Sequence, residues 1–104
     1  MTQRYATDQP ARDEIDALHG ATVLQFGTDW CGYCRAADRY VEPALTDAEG
    51  VRHLKVEDGK GRPLGRSFRV RLWPTLVFLK EGVEVARLVR PTNRGAVDEA
   101  LALL

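Results

Sequence analysis

The chain has no apolar run approaching the ~20 residues that a membrane-spanning helix needs, so a membrane anchor is excluded on the sequence. It has no excess of one charge either. Lys plus Arg and Asp plus Glu both number 15, for a net charge of zero, which gives nucleic acid or an anionic lipid surface no overall field to exploit. Repeats, low-complexity tracts and linker-like stretches are absent, so the 104 residues are read as one domain, 1–104, long enough for a single core without metal or disulfide staples. The stretch Met1–Pro10 lacks the apolar core of a secretory signal, and the expected location is the cytoplasm. Histidine is scarce, and His19 and His53 lack ligand spacing to each other. A zinc site that borrows them is therefore set aside, and no metal or bound cofactor is expected.

Cysteine is also scarce, and here the scarcity is informative. The only two are Cys31 and Cys34, inside Thr28-Asp29-Trp30-Cys31-Gly32-Tyr33-Cys34-Arg35. Before them Val23-Leu24-Gln25-Phe26 is short, apolar and strand-like. After them Ala36, Ala37, Tyr40, Val41, Ala44 and Leu45 recur at helical spacing. Cys31 thus falls at the mouth of a helix, where unpaired N–H groups and the macrodipole favour a thiolate, the nucleophilic form of cysteine. Cys34, one turn on, can close a disulfide with Cys31 or attack a mixed disulfide formed there. A purely structural disulfide is a poor alternative, because so short a loop gains little from closure.

The rest of the chain frames that turn. Pro10 to Leu18 reads as a short amphipathic helix closed by Gly20, Thr22–Phe26 as a strand, and Gly32 to about Ala48 as a helix that Pro43 should kink or divide. Val51–Glu57 reads as a second strand, with His53 on a partly exposed face. Pro63–Arg69 reads as a short helix and Thr75–Leu79 as a buried strand. Glu81-Gly82 turns the chain into a strand with Val83, Val85, Arg87 and Val89 on one face, and Thr92 or Asn93 caps a last helix. The expected fold class is α/β, a mixed sheet of about four strands with helices on both faces.

Trp30-Cys31-Gly32-Tyr33-Cys34, Trp73-Pro74-Thr75 some forty residues later, and Gly82 together resemble the thioredoxin family over about Pro10–Leu104. The resemblance implies a thioredoxin-like fold and a thiol-disulfide oxidoreductase that reduces protein disulfides and is recharged by a reductase or a small thiol. It implies Cys31 as the attacking and Cys34 as the resolving cysteine, and a substrate surface made of Trp30, Gly32, Tyr33, Trp73, Pro74 and Thr75, with Pro74 cis. A monomer is expected. Rival readings are an oxidase or isomerase, or a thioredoxin-like binding module whose cysteines sense redox state. Trp30 and Trp73 as plain core aromatics are the bland alternative. Three departures stand out: Gln25 where the family has a buried aspartate, Tyr33 where it has proline, and Arg90 where it has a glycine beside the substrate groove. Without that acid, slow release of mixed disulfides is expected, because an amide accepts no proton.

Overall fold

In sequence order the elements are α1 (Arg12–Asp16), β1 (Ala21–Gly27), α2 (Gly32–Asp47), β2 (Val51–Glu57), α3 (Pro63–Ser67), β3 (Thr75–Lys80), β4 (Val83–Val89) and α4 (Arg94–Leu101). This is a computed structural model, which describes residues 3–104. The four strands form one sheet in the order β2-β1-β3-β4, with β1 parallel to β2 and the other neighbours antiparallel. The period of two along the strands sorts their side chains to two faces. Val23, Leu76 and Phe78 meet Val41, Ala44 and Leu45 of α2 and Val97 of α4. Leu24, Phe26, Val77 and Leu79 meet Ile15, Leu64 and Phe68 around α1 and α3. The α/β architecture expected from the sequence is thus observed, with helices on both faces.

Two expectations change. Pro43 does not divide the long helix, which continues as one element to Asp47. A proline removes one backbone hydrogen bond, while Ala44 and Leu45 just beyond it are buried against the sheet, and that packing carries the helix past the break. In β4 the core is built by Ala86 and Leu88, while Val83, Val85 and Val89 are exposed; a register shift at Phe78/Leu79 pairs Val83 with Lys80 and Val89 with Thr75, so the residues expected on one face are split between the two.

The β3–β4 hairpin has a two-residue loop with positive φ at both positions, 49° at Glu81 and 78° at Gly82. That geometry matches the right-handed twist of the strands it joins. Gly82 is fixed by space as well, since a Cβ there would lie 2.0 Å from the Asp16 carbonyl oxygen. Glu81 is held in its strained conformation by its own carboxylate, which accepts the Gly20 N–H at 2.6 Å. Asn93, rather than Thr92, caps α4 by accepting the Ala96 N–H at 2.8 Å.

Candidate active site

Cys31 is the N-cap of α2, in an extended conformation, and its Sγ accepts the Cys34 N–H at 3.2 Å. A sulfur thus satisfies one of the N–H groups that a helix start leaves unpaired. Both cysteines are free thiols. Cys31 is 8 % exposed and Cys34 1 %, so Cys31 is the sulfur open to the surface and Cys34 lies sealed behind it. Burial, with the neighbouring Cys31 sulfur adding to it, pushes the Cys34 thiol up to about 12, and at neutral pH it keeps its proton until the surroundings change.

Around the sulfurs stand the aromatic residues singled out in the sequence. Trp30 and Tyr33 are 70 % and 61 % exposed, too open for core residues. Trp30 meets Trp73 edge to face at 5.7 Å. Trp73 packs on the cluster of Tyr5, Cys31 and Cys34, and its indole N–H donates to Asp58 Oδ2 at 2.9 Å. The Trp73-Pro74 bond is cis. Gly32 borders open space, while Thr75 is buried and its hydroxyl donates to the Leu72 carbonyl at 2.7 Å. Arg90 ties these walls together. Its Nε donates to the Trp73 carbonyl at 2.8 Å, and its guanidinium lies 3.7 Å from the centre of the Tyr33 ring.

Behind the sulfurs lies a buried polar network that the sequence reading missed. Gln25, fully buried on β1, donates from Nε2 to the Tyr5 hydroxyl at 2.9 Å and to Asp38 Oδ1 at 3.0 Å. Its Oε1 lies 2.8 Å from His53 Nε2. Asp38 Oδ2 takes the Lys55 ammonium at 3.1 Å, and Lys55 also reaches Glu42 at 3.2 Å and lies over the Tyr5 ring. A carboxylate is present after all, carried by α2 rather than β1. The expectation that Gln25 leaves the site without a buried acid is corrected, and His53, on a partly exposed strand face as expected, also reaches into this network. The missed signal was polar residues at inward positions: Gln25 of β1 lies opposite Lys55 of β2, and Val23 opposite His53. A cavity of about 400 Å³ opens onto Cys34 from this side, lined by Tyr5, Thr28, Arg35, Asp38 and Lys55 among others. Among the described residues no three of His, Cys, Asp and Glu cluster as metal ligands would, and His19 sits apart, facing Glu81.

His53 makes the fold acid-sensitive. Burial, then the Lys55 cation, lowers its pKa from 6.5 to about 4. The unfolded chain, with the ordinary value, binds more protons between those limits, so stability is full above pH ~6.5 and falls as pH drops toward ~4. The expected loss is on the order of 3 kcal/mol. Urea midpoints taken from about pH 7 down to about pH 4 should show this slope, and His53→Gln should flatten it. Equal slopes in the two proteins would remove His53 as the cause.

Two sulfurs at a helix start, one reachable and one sealed behind it, exchange dithiol for disulfide with little movement, and this chemistry on this sheet defines a thiol-disulfide oxidoreductase. The Thioredoxin family model matches residues 4–102. The chain belongs to the thioredoxin family. It is 54 % identical to thioredoxin 2 from Pseudomonas aeruginosa PAO1 in its reduced form, over 99 % of this chain and 95 % of that one, with a TM-score of 0.88. It is 28 % identical to Thioredoxin Asp f 28 of Aspergillus fumigatus, over 92 % of this chain and 89 % of that protein. A Thioredoxin H-type from Fagopyrum esculentum is 34 % identical over 64 % of this chain, and the match spans 58 % of that relative's length.

Proposed function

We propose that the chain reduces protein disulfides through Cys31 and Cys34, acting as a monomer in the cytoplasm and receiving electrons from a reductase or a small thiol. Cys31 Sγ attacks a substrate disulfide, one substrate thiol departs, and a mixed disulfide forms. Cys34 then attacks Cys31 Sγ, the second substrate thiol departs, and the Cys31–Cys34 disulfide carries away the two electron equivalents of oxidation. Trp30, Gly32, Tyr33, Trp73, Pro74 and Thr75 form the surface on which the substrate chain lies. Thr75 acts there through its backbone, since its side chain is buried. The single observation that carries this reading is the Cys31 sulfur capping α2 with Cys34 sealed behind it.

Alkylation of the reduced protein with iodoacetamide, followed by peptide mapping, tests the assignment. Label is expected on Cys31 first, with Cys34 modified only on unfolding. Preferential labelling of Cys34 would sink it. The rival direction, oxidation or isomerisation, is separated by equilibration with glutathione buffers: a reductase stays oxidised under conditions where the glutathione pool has begun to be reduced.

A further inference from the structure

The Gln25 amide has its direction fixed from two sides. Asp38 Oδ1, 3.0 Å away, is a carboxylate oxygen and only accepts, so the atom facing it must be the nitrogen. Gln25 Oε1 then faces His53 Nε2, which must carry the ring proton at 2.8 Å. The lowering of the His53 pKa to about 4 agrees, since the neutral ring has one N–H to give. With one Nε2 hydrogen spent on Asp38, the other points at the Tyr5 oxygen at 2.9 Å. That oxygen is therefore an acceptor toward Gln25, and its own O–H is turned elsewhere. Burial and the neighbouring Cys34 and Asp38 hold the phenol protonated far above neutral pH, so the hydrogen is always present.

What lies on its other side is Cys34. A Cβ on Gly27 would fall 2.6 Å from both Cys34 Sγ and the Tyr5 hydroxyl, so the glycine leaves room for these two groups to approach each other. The phenol and the thiol share one cluster with Cys31, and the contact works to lower the Cys34 pKa against its burial.

We propose that Tyr5 is a catalytic residue of the resolving step: its O–H donates to Cys34 Sγ and stabilises the thiolate that attacks the mixed disulfide, with Gln25, Asp38 and His53 acting as positioning residues that force the phenol into the donor role. The inference rests on the roles given above to the two cysteines. In the step itself the Cys34 proton passes to solvent through the cavity that Asp38, one helical turn along α2, also lines. The Cys34 sulfur then bonds to Cys31 Sγ, the bond from Cys31 to the substrate breaks, and the departing substrate thiolate takes a proton from solvent. Tyr5 keeps its proton throughout. The ionisable groups facing this contact are Cys31 and Asp38 from α2 and Lys55 from β2, with His53 behind Gln25 and Arg4, Asp29 and Arg35 at the cavity wall.

Tyr5→Phe removes the O–H and keeps the ring under Lys55. Stopped-flow kinetics with a disulfide peptide substrate should show formation of the mixed disulfide on Cys31 unchanged and its resolution slowed roughly tenfold at neutral pH, with the resolution profile moved to higher pH. Replacing Tyr5 by 3-fluorotyrosine, a more acidic phenol of nearly the same size, should move that profile in the opposite direction, which separates donation from packing even where Tyr5→Phe folds poorly. An unchanged resolution profile in both proteins overturns the role of Tyr5 and leaves the cysteine mechanism standing. Loss of the first step in the wild-type protein overturns the cysteine assignment instead.

Discussion

Cys31→Ser is expected to abolish turnover of protein disulfides, a loss of roughly a thousandfold or more, since a serine hydroxyl at neutral pH is no substitute for a thiolate. The position gives this cysteine its part. Cys31 is the more exposed of the two sulfurs, it caps α2, and its sulfur is the acceptor of the Cys34 N–H. Cys34→Ser should behave in the opposite way. The first attack remains, but the mixed disulfide has no internal thiol to displace it and accumulates as a covalent complex with substrate. Insulin reduction followed by turbidity measures the first effect, and non-reducing electrophoresis with mass spectrometry measures the second. Residual turnover in Cys31→Ser within tenfold of wild type, or the absence of trapped complexes in Cys34→Ser, would mean that exchange takes another route.

The largest effect on stability is expected from Lys55→Met. The Lys55 side chain is 1 % exposed, and its ammonium is shared by Asp38 Oδ2, Glu42 Oε1 and the Gln3 carbonyl, the last at 2.6 Å. Methionine fills much the same space, so the change removes a charge rather than volume. What remains is a buried Asp38 carboxylate without its cation, and breaking a buried pair from one side costs about 3 kcal/mol or more. For a domain of this size that corresponds to a fall in Tm of roughly 12 °C or more. Scanning calorimetry on Lys55→Met and on Lys55→Met with Asp38→Leu separates the causes. The double variant should recover much of the loss, because the cost lies in the unpaired charge and not in the missing contact. A single variant as stable as wild type would show that Asp38 needs no cation.

The two kinds of residue behind these predictions were not equally legible. Cys31 and Cys34 announce themselves because their chemistry is local, two cysteines at helical spacing before an apolar-periodic run, whereas Trp73 and Pro74 stand out only through the family resemblance. The strand and helix boundaries followed from periodicity for the same reason. The buried network is assembled from the amino-terminal segment, β1, α2 and β2, and each of its members has an ordinary explanation when read alone. Asp38 sits in a helix among charged neighbours, and Lys55 reads as a surface lysine until β2 is placed beside β1 in register. Gln25 was noticed as a departure, yet an amide reads as a loss of function until the groups at its two ends are known. At Pro43 the local rule allows a kink or a divided helix, and division is excluded because Ala44 and Leu45 just beyond it are buried.

The amino-terminal segment that carries Tyr5 is fastened to the outer edge of the sheet by a parallel bridge between Ala6 and Val56, through Ala6 N–H to the Lys55 carbonyl at 2.8 Å and Glu57 N–H to the Ala6 carbonyl at 2.9 Å. Tyr5 N–H to Asp29 Oδ1 at 2.9 Å, the Gln25 amide on the Tyr5 hydroxyl and Lys55 on the Gln3 carbonyl add to that bridge, and these contacts can open together without the sheet coming apart, at a fraction of the free energy of global unfolding. The two halves of the redox pair then differ in kind. Cys31 keeps its seat as the cap of α2 through such an opening and loses only its packing on Tyr5. Cys34 has one wall on that segment, so transient peeling of the amino-terminal segment, or a bulky tag pulling on it, would detune the proposed resolving step more than the first attack.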